Sequence, residues 1–146
     1  MKAVTFSYDD GVTQDIRLVE ILNRYNLKAT FNLNSELLGK DGSLDILGKR
    51  ILHNKVQPHE ITEVYKGHEI AAHTLTHPDM TEMPADEVIR QVEQDRLNLS
   101  ELSGTEVIGM AYPGRQPNYN SRIAQIIKNG TGVKYARTTI CNKDLS

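Results

Sequence analysis

Three features of the sequence predict an α/β protein on a parallel sheet, either open or curled toward a barrel. Short apolar, β-branched runs alternate with amphipathic helical stretches, the polar clusters with chemical potential fall where those runs end, and 146 residues suffice for one hydrophobic core. Strands separated by helices join through crossovers into a parallel sheet, and its functional groups collect at the strands' C-terminal ends.

Ala3 to Ser7 reads as the first strand and closes on Tyr8-Asp9-Asp10-Gly11. Leu18, Val19, Leu22 and Tyr25 then follow a helical period, with Thr13 as N-cap and Asn26 as the end. Ala29 to Asn34 alternates as a second strand. From Leu38 to Pro58, Gly39, Gly42 and Gly48 punctuate an irregular excursion, with a hairpin expected around His53-Asn54. Pro58 to Lys66 makes a short helix stopped by Gly67, and His68 to Ala72 is a third strand that delivers His73 at its end. Pro84 opens a long helix whose inner face carries Val88, Val92, Leu99 and Leu102, until Gly104 closes it. Glu106 to Tyr112 is a fourth strand. Asn120 caps a helix bearing Ile123, Ile126 and Ile127 up to Gly130, and Lys134 to Ile140 is a fifth strand.

With 38% hydrophobic and 25% charged residues, the composition is that of a globular domain, not of a disordered or fibrous chain. Seventeen basic and nineteen acidic residues give a net charge of -2, which offers no footprint for nucleic acid or an anionic membrane. A neutral small molecule or polymer is the expected partner, and no run is long enough for a transmembrane helix. The lone cysteine, Cys141, has no partner for an internal disulfide and reads as an inert thiol. The start of the chain lacks the apolar stretch of a signal peptide and predicts a cytoplasmic protein, or an exported one if a signal has been removed. Oligomeric state is unconstrained.

Three polar clusters share the strand-end face: Asp9-Asp10, His73 through Pro78, and Ala111-Tyr112-Pro113-Gly114. Two histidines four apart point the same way on one helical turn and, with a carboxylate, make a three-ligand metal site that leaves room for water. A divalent cation there makes water more acidic and polarises a carbonyl, while a neighbouring carboxylate takes the proton, which is the chemistry of hydrolysis. Adjacent Asp9 and Asp10 divide these tasks if successive side chains point to opposite sides of an extended segment. Alone, Asp-Asp-Gly is a turn and His-x3-His a surface coincidence. It is the combination at strand ends that predicts a site. His53, His59 and His68 lack that relation to a strand-end carboxylate and are read as surface or strand-flanking residues without a role. Paired-carboxylate glycosidase chemistry fits less well, because Asp9 and Asp10 are neighbours and do not face each other across a cleft.

These residues resemble the polysaccharide deacetylases of the NodB-homology type, carbohydrate esterase family 4. Ser7-Tyr8-Asp9-Asp10-Gly11 resembles that family's Thr-Phe-Asp-Asp-Gly motif, and His73-Thr74-Leu75-Thr76-His77-Pro78 its His-Ser/Thr-x-x-His-Pro motif. Gly67-His68-Glu69-Ile70 and Tyr135-Ala136-Arg137-Thr138-Thr139 extend the likeness along the chain. The resemblance implies a distorted (β/α) barrel, Asp9 as catalytic base, and Asp10, His73 and His77 as ligands of zinc or of cobalt, manganese or iron. It also implies an oxyanion donor at the Gly114 N–H. Where many members have Arg-Pro-Pro-Tyr this chain has Ala111-Tyr112-Pro113-Gly114, so the arginine that orients the base is absent at Ala111, and Arg115 is the sequence-level substitute. The family's leucine-histidine pair, whose histidine protonates the leaving amine, would lie beyond Ser146. One domain over 1–146, lacking its C-terminal part after about five strands, is therefore expected, with a degenerate member as the alternative. The implied reaction is removal of N-acetyl groups from an amino-sugar oligo- or polysaccharide. An O-acetyl esterase, a small-amide amidohydrolase and a noncatalytic glycan-binding domain are the other readings.

Overall fold

The computed structural model describes residues 4–140, so Cys141 and Ala3, the first residue of the expected first strand, lie outside the described part. In chain order the elements are β1 (Ser7–Asp9), α1 (Gln14–Arg24), β2 (Thr30–Leu33), β3 (Ser43–Ile46), β4 (Lys49–Leu52), α2 (Ile61–Val64), β5 (Glu69–Ala72), α3 (Ala85–Ile89), α4 (Asp95–Ser103), β6 (Gly109–Ala111), α5 (Ser121–Gly130) and β7 (Tyr135–Arg137). A π-helical turn, Arg90–Gln94, links α3 and α4 into one helical run. Five strands form a parallel sheet in the order β1-β2-β5-β6-β7, with every crossover made through helical segments. The predicted α/β class and five-strand count hold. Arg137 on β7 reaches Asp9 on β1, although those strands are at opposite edges of the sheet, so the sheet is curled into part of a barrel.

Helix and sheet faces enclose one core: Phe31, Leu33, Val56, Ile61, Leu99, Met110 and Ile123 are all buried, and Phe31 stacks on Tyr8 and tilts against Tyr65. Val88 and Val92 join that core as their spacing predicts. Leu102, in the last turn of α4, is 37% exposed, outside the buried face its spacing predicts, and its carbonyl accepts from the Thr62 hydroxyl. Asn120 caps α5 as expected, its side chain accepting from the Ile123 N–H at 2.9 Å. Thr13 stands at the N-cap of α1 but makes no side-chain cap bond. Among the described residues no helix is long and apolar enough to cross a membrane.

Strand positions differ from expectation in the first strand, in the hairpin, and in β6 and β7, which are shorter than the expected Glu106 to Tyr112 and Lys134 to Ile140. The first strand is Ser7–Asp9, later than Ala3 to Ser7, because its pairing partners Thr30, Phe31 and Asn32 fix the register. The hairpin turns at Leu47-Gly48, before His53-Asn54, with β3 and β4 antiparallel. Both turn residues have positive φ, 54° and 74°, which matches the twist of a tight hairpin. Leu47 hides this turn from a composition search, since Asn or Asp is the usual residue there. Asn120→Ala is expected to lower stability by about 1 kcal/mol through loss of the cap, read as a shift in urea midpoint, with Asn120→Ser restoring most of it.

Candidate active site

β1 ends at Asp9, opposite Asn32 in the parallel register. The Asn32 amide nitrogen is 2.9 Å from Asp9 Oδ1, 2.9 Å from Ser7 Oγ and 3.0 Å from the Tyr8 carbonyl, so three acceptors fix the amide's orientation. The chain then turns left-handed: Asp10 has φ +80° and Gly11 φ +60°. A Cβ at Gly11 would lie 2.9 Å from Leu33, which requires glycine there on packing as well as on φ. The two carboxylates therefore diverge because of this turn, and not by pleat alternation.

His73 leaves β5, and its neighbours correct a second expectation. The His73–His77 segment is not a helical turn. Thr74 and His77 both have positive φ, 69° and 60°, and Pro78 disfavours a helical conformation at the residue before it. The bend is held from outside by Asn34 and Gln91 and from within by Thr74. Asn34 donates to the carbonyls of His73 and Thr74 at 2.6 and 2.9 Å, Leu75 N–H donates to the Gln91 carbonyl at 3.0 Å, and the Thr74 hydroxyl accepts from the His77 N–H at 3.1 Å. The two imidazoles meet edge-to-face with centroids 4.9 Å apart. One nitrogen from each ring and one Asp10 oxygen all lie within 4.8 Å of one another, a donor set that suits a divalent cation.

The buried His73 ring places Nδ1 at 2.9 Å from the Ala111 carbonyl, an acceptor, so Nδ1 carries the hydrogen and Nε2 is left for a ligand. Burial lowers the His73 pKa and keeps the ring neutral. Burial also works to raise the Asp10 carboxyl, but Lys55, His73, His77 and His53 together hold it below the ordinary carboxylate value. His53 Nε2 is 3.2 Å from Asp10 Oδ2, and Lys55 Nζ is 3.6 Å from Oδ1. Sequence spacing gave His53 no role, yet the segment leaving β4 delivers it to the site. His68 caps the Ala29 N–H and packs on Phe31, while His59 stays on the surface, as expected of both.

A family model described as polysaccharide deacetylase matches residues 1–136. The chain belongs to the polysaccharide deacetylase family. It is 27% identical over 107 residues to a bifunctional xylanase/deacetylase of Pseudobutyrivibrio xylanivorans, covering 73% of this chain and 15% of that protein. Its fold matches the Streptococcus pyogenes deacetylase PplD in complex with acetate, at a TM-score of 0.69 and 20% identity, over 97% of this chain and 66% of that one. The Bacillus cereus polysaccharide deacetylase BC0361 matches at 0.74 and 17%, over 94% of this chain and 40% of that one. The chain therefore spans less than two thirds of each of these proteins.

In this deacetylase fold, Arg137 contacts the side chain of Asp9 where Ala111 supplies no arginine. Arg115 is exposed and, among the described residues, forms no ion pair. The Tyr135-Ala136-Arg137 run carried the signal, but only the curl of the sheet brings its arginine to the first strand. Gly114 follows β6 with φ +83°, and its carbonyl accepts from the Asn118 amide at 3.4 Å.

Beneath the site, fully buried Asp95 accepts the backbone N–H groups of Ser35 and His73 at 2.7 and 2.9 Å. Burial pushes its carboxyl up to about 7, against those hydrogen bonds. The folded protein thus holds this proton where the unfolded chain, with an ordinary value of 3.8, has lost it. The linked stability is full below the unfolded value and is lost as pH rises through about 7. From about pH 5 to 7 the urea midpoint of Asp95→Asn should fall less steeply than that of the parent; parallel profiles would contradict the assignment.

Proposed function

We propose that this chain carries the catalytic centre of a metal-dependent deacetylase that hydrolyses the N-acetyl group of an amino-sugar oligo- or polysaccharide. The observation that carries the reading is the Asp10, His73 and His77 donor set beside a second carboxylate, Asp9, that two other side chains hold by one oxygen. Asp10, His73 and His77 would bind a divalent cation, zinc being the first candidate, with cobalt, manganese and iron also suited to a carboxylate-imidazole set. When bound, such a cation supplies Lewis acidity toward an acetyl carbonyl and toward water.

The chain's own groups then divide the work. Asn32 and Arg137 both engage Oδ1 of Asp9, so Oδ2 is the oxygen positioned to take a proton from the attacking water. Arg137 keeps that carboxylate aimed, the task that an arginine at position 111 would serve. The Gly114 N–H is the main-chain donor for the developing oxyanion. An open cavity of about 540 Å³, lined by Gln116 through Ser121 and Ile140, follows Gly114 in the chain and is large enough for a sugar. The xylanase/deacetylase similarity favours acetylated xylan as the second substrate to test.

Asp9→Asn is expected to retain bound metal and lose turnover of acetylated chitooligosaccharide by about 10²- to 10⁴-fold; full activity would remove Asp9 from the mechanism. Arg137→Met should lower kcat in the same direction, by up to about 10²-fold, with metal content unchanged. Changing His73 or His77 to Ala should reduce metal stoichiometry by elemental analysis, and parent-level metal in both would refute the ligand set. Faster release of acetate from xylan than from the chitooligosaccharide would move the substrate from amide to ester.

A further inference from the structure

The residues leaving β4 are stitched to the loop that carries Asp10. Thr13 N–H donates to the Asn54 carbonyl at 2.8 Å, Val56 N–H donates to the Gly11 carbonyl at 2.9 Å, and Val12 and Lys55 form a β-bridge between them. On the other side, His53 N–H donates to the Gly42 carbonyl at 2.8 Å and Lys55 N–H to the Lys40 carbonyl at 2.9 Å. Residues 53–56 are therefore anchored from two directions, and their side chains are aimed by backbone hydrogen bonds.

Resting on the metal-centre reading above, we propose that His53 is a positioning residue that holds the outer oxygen of Asp10, while Lys55 competes with the cation for the inner one. Asp10 Oδ1 lies 3.8 Å from His77 Nε2, so it is the oxygen on the histidine side, and Oδ2, 3.2 Å from His53 Nε2, is the outer one. His53 Nε2 is also 3.2 Å from Lys55 Nζ, and the ring nitrogen can donate to the carboxylate or accept from the ammonium, not both. Donation to Oδ2 satisfies the outer oxygen and leaves the Oδ1 lone pairs to a metal. Lys55 Nζ, 3.6 Å from Oδ1 on a side chain only 9% exposed, then holds Asp10 by charge alone. A divalent ion at Oδ1 would stand beside that ammonium, so the flexible lysine must give way or weaken binding. The imidazole, held by its anchored backbone and with fewer rotatable bonds, stays in place.

The two residues thus have opposite predicted effects on affinity, which a purely structural role for the segment would not produce. Zinc affinity is measured by competition with a chromophoric chelator on the full chain, with thermal melts of the metal-free proteins to confirm folding. His53→Ala should bind zinc about 10- to 100-fold more weakly than the parent, the usual loss when a ligand's supporting hydrogen bond is removed. His53→Gln, whose amide nitrogen can reach the position of Nε2, should recover most of that loss. Lys55→Met should bind about tenfold more tightly. Unchanged affinity in His53→Ala, equal loss in His53→Ala and His53→Gln, or weakening by Lys55→Met would overturn the proposal. His73→Ala separates the two levels: if it binds zinc as the parent does, the metal centre itself is wrong. If it loses zinc while His53→Ala does not, only the role of His53 fails.

Discussion

The contact between Arg137 and Asp9 joins the last strand of the sheet to the first, and the placing of the Asp9 carboxylate depends on it. Five parallel strands in the order β1-β2-β5-β6-β7 could lie as an open, twisted ribbon, with their edges far apart. The guanidinium crossing from β7 to β1 requires the strand ends to converge, and that convergence brings three separate loops to one place. Charge and shape meet here: the pair that spans the curled sheet fixes one oxygen of a carboxylate. The cost is visible, since Arg137 Nε is buried without a partner among the described residues, and an unmet buried donor costs about 1–3 kcal/mol.

Backbone strain is concentrated around the same point. Among the described residues five non-glycine positions have positive φ, and three of them, Asp10, Thr74 and His77, belong to the loops that carry the Asp10, His73 and His77 donor set. Such conformations persist only where the surroundings over-determine them. Asn34, just after β2, and Asp95, at the start of α4, grip the His73 backbone, and Gln91 holds Leu75 and Thr76 from the π turn. A π turn inside an α-helical run redirects backbone hydrogen bonding, and here the Gln91 carbonyl is spent on the loop. Three of the buried polar side chains, Asn34, Gln91 and Asp95, thus scaffold one bend.

The order of strands and helices was legible because each element carries its own period and its own stop signal, as with Asn120 before α5 and Gly104 after α4. The Asp10, His73 and His77 cluster was legible because its residues sit at strand ends, where a parallel sheet collects them. His53, Lys55 and Arg137 were not legible as site residues, for a physical reason. Their places depend on how the hairpin folds back on the β1 loop and on how far the sheet curls, and neither is encoded in local spacing. The helical turn expected for His73 to His77 failed because spacing alone cannot tell a turn of helix from a bend held by Asn34 and Gln91.

The acceptor that orients His73 is a main-chain carbonyl, that of Ala111. No side-chain replacement at that position deletes it, so drift at residue 111 leaves the ring's tautomer untouched. The vulnerability lies in strand alignment instead. A one-residue slip of β6 would withdraw the carbonyl from the imidazole, and the alignment is kept by pairing to β7 and by the Tyr112 N–H bond to the Arg137 carbonyl at 3.0 Å. The strand that carries the arginine beside one aspartate therefore also governs, through its backbone, which nitrogen of a histidine faces the other.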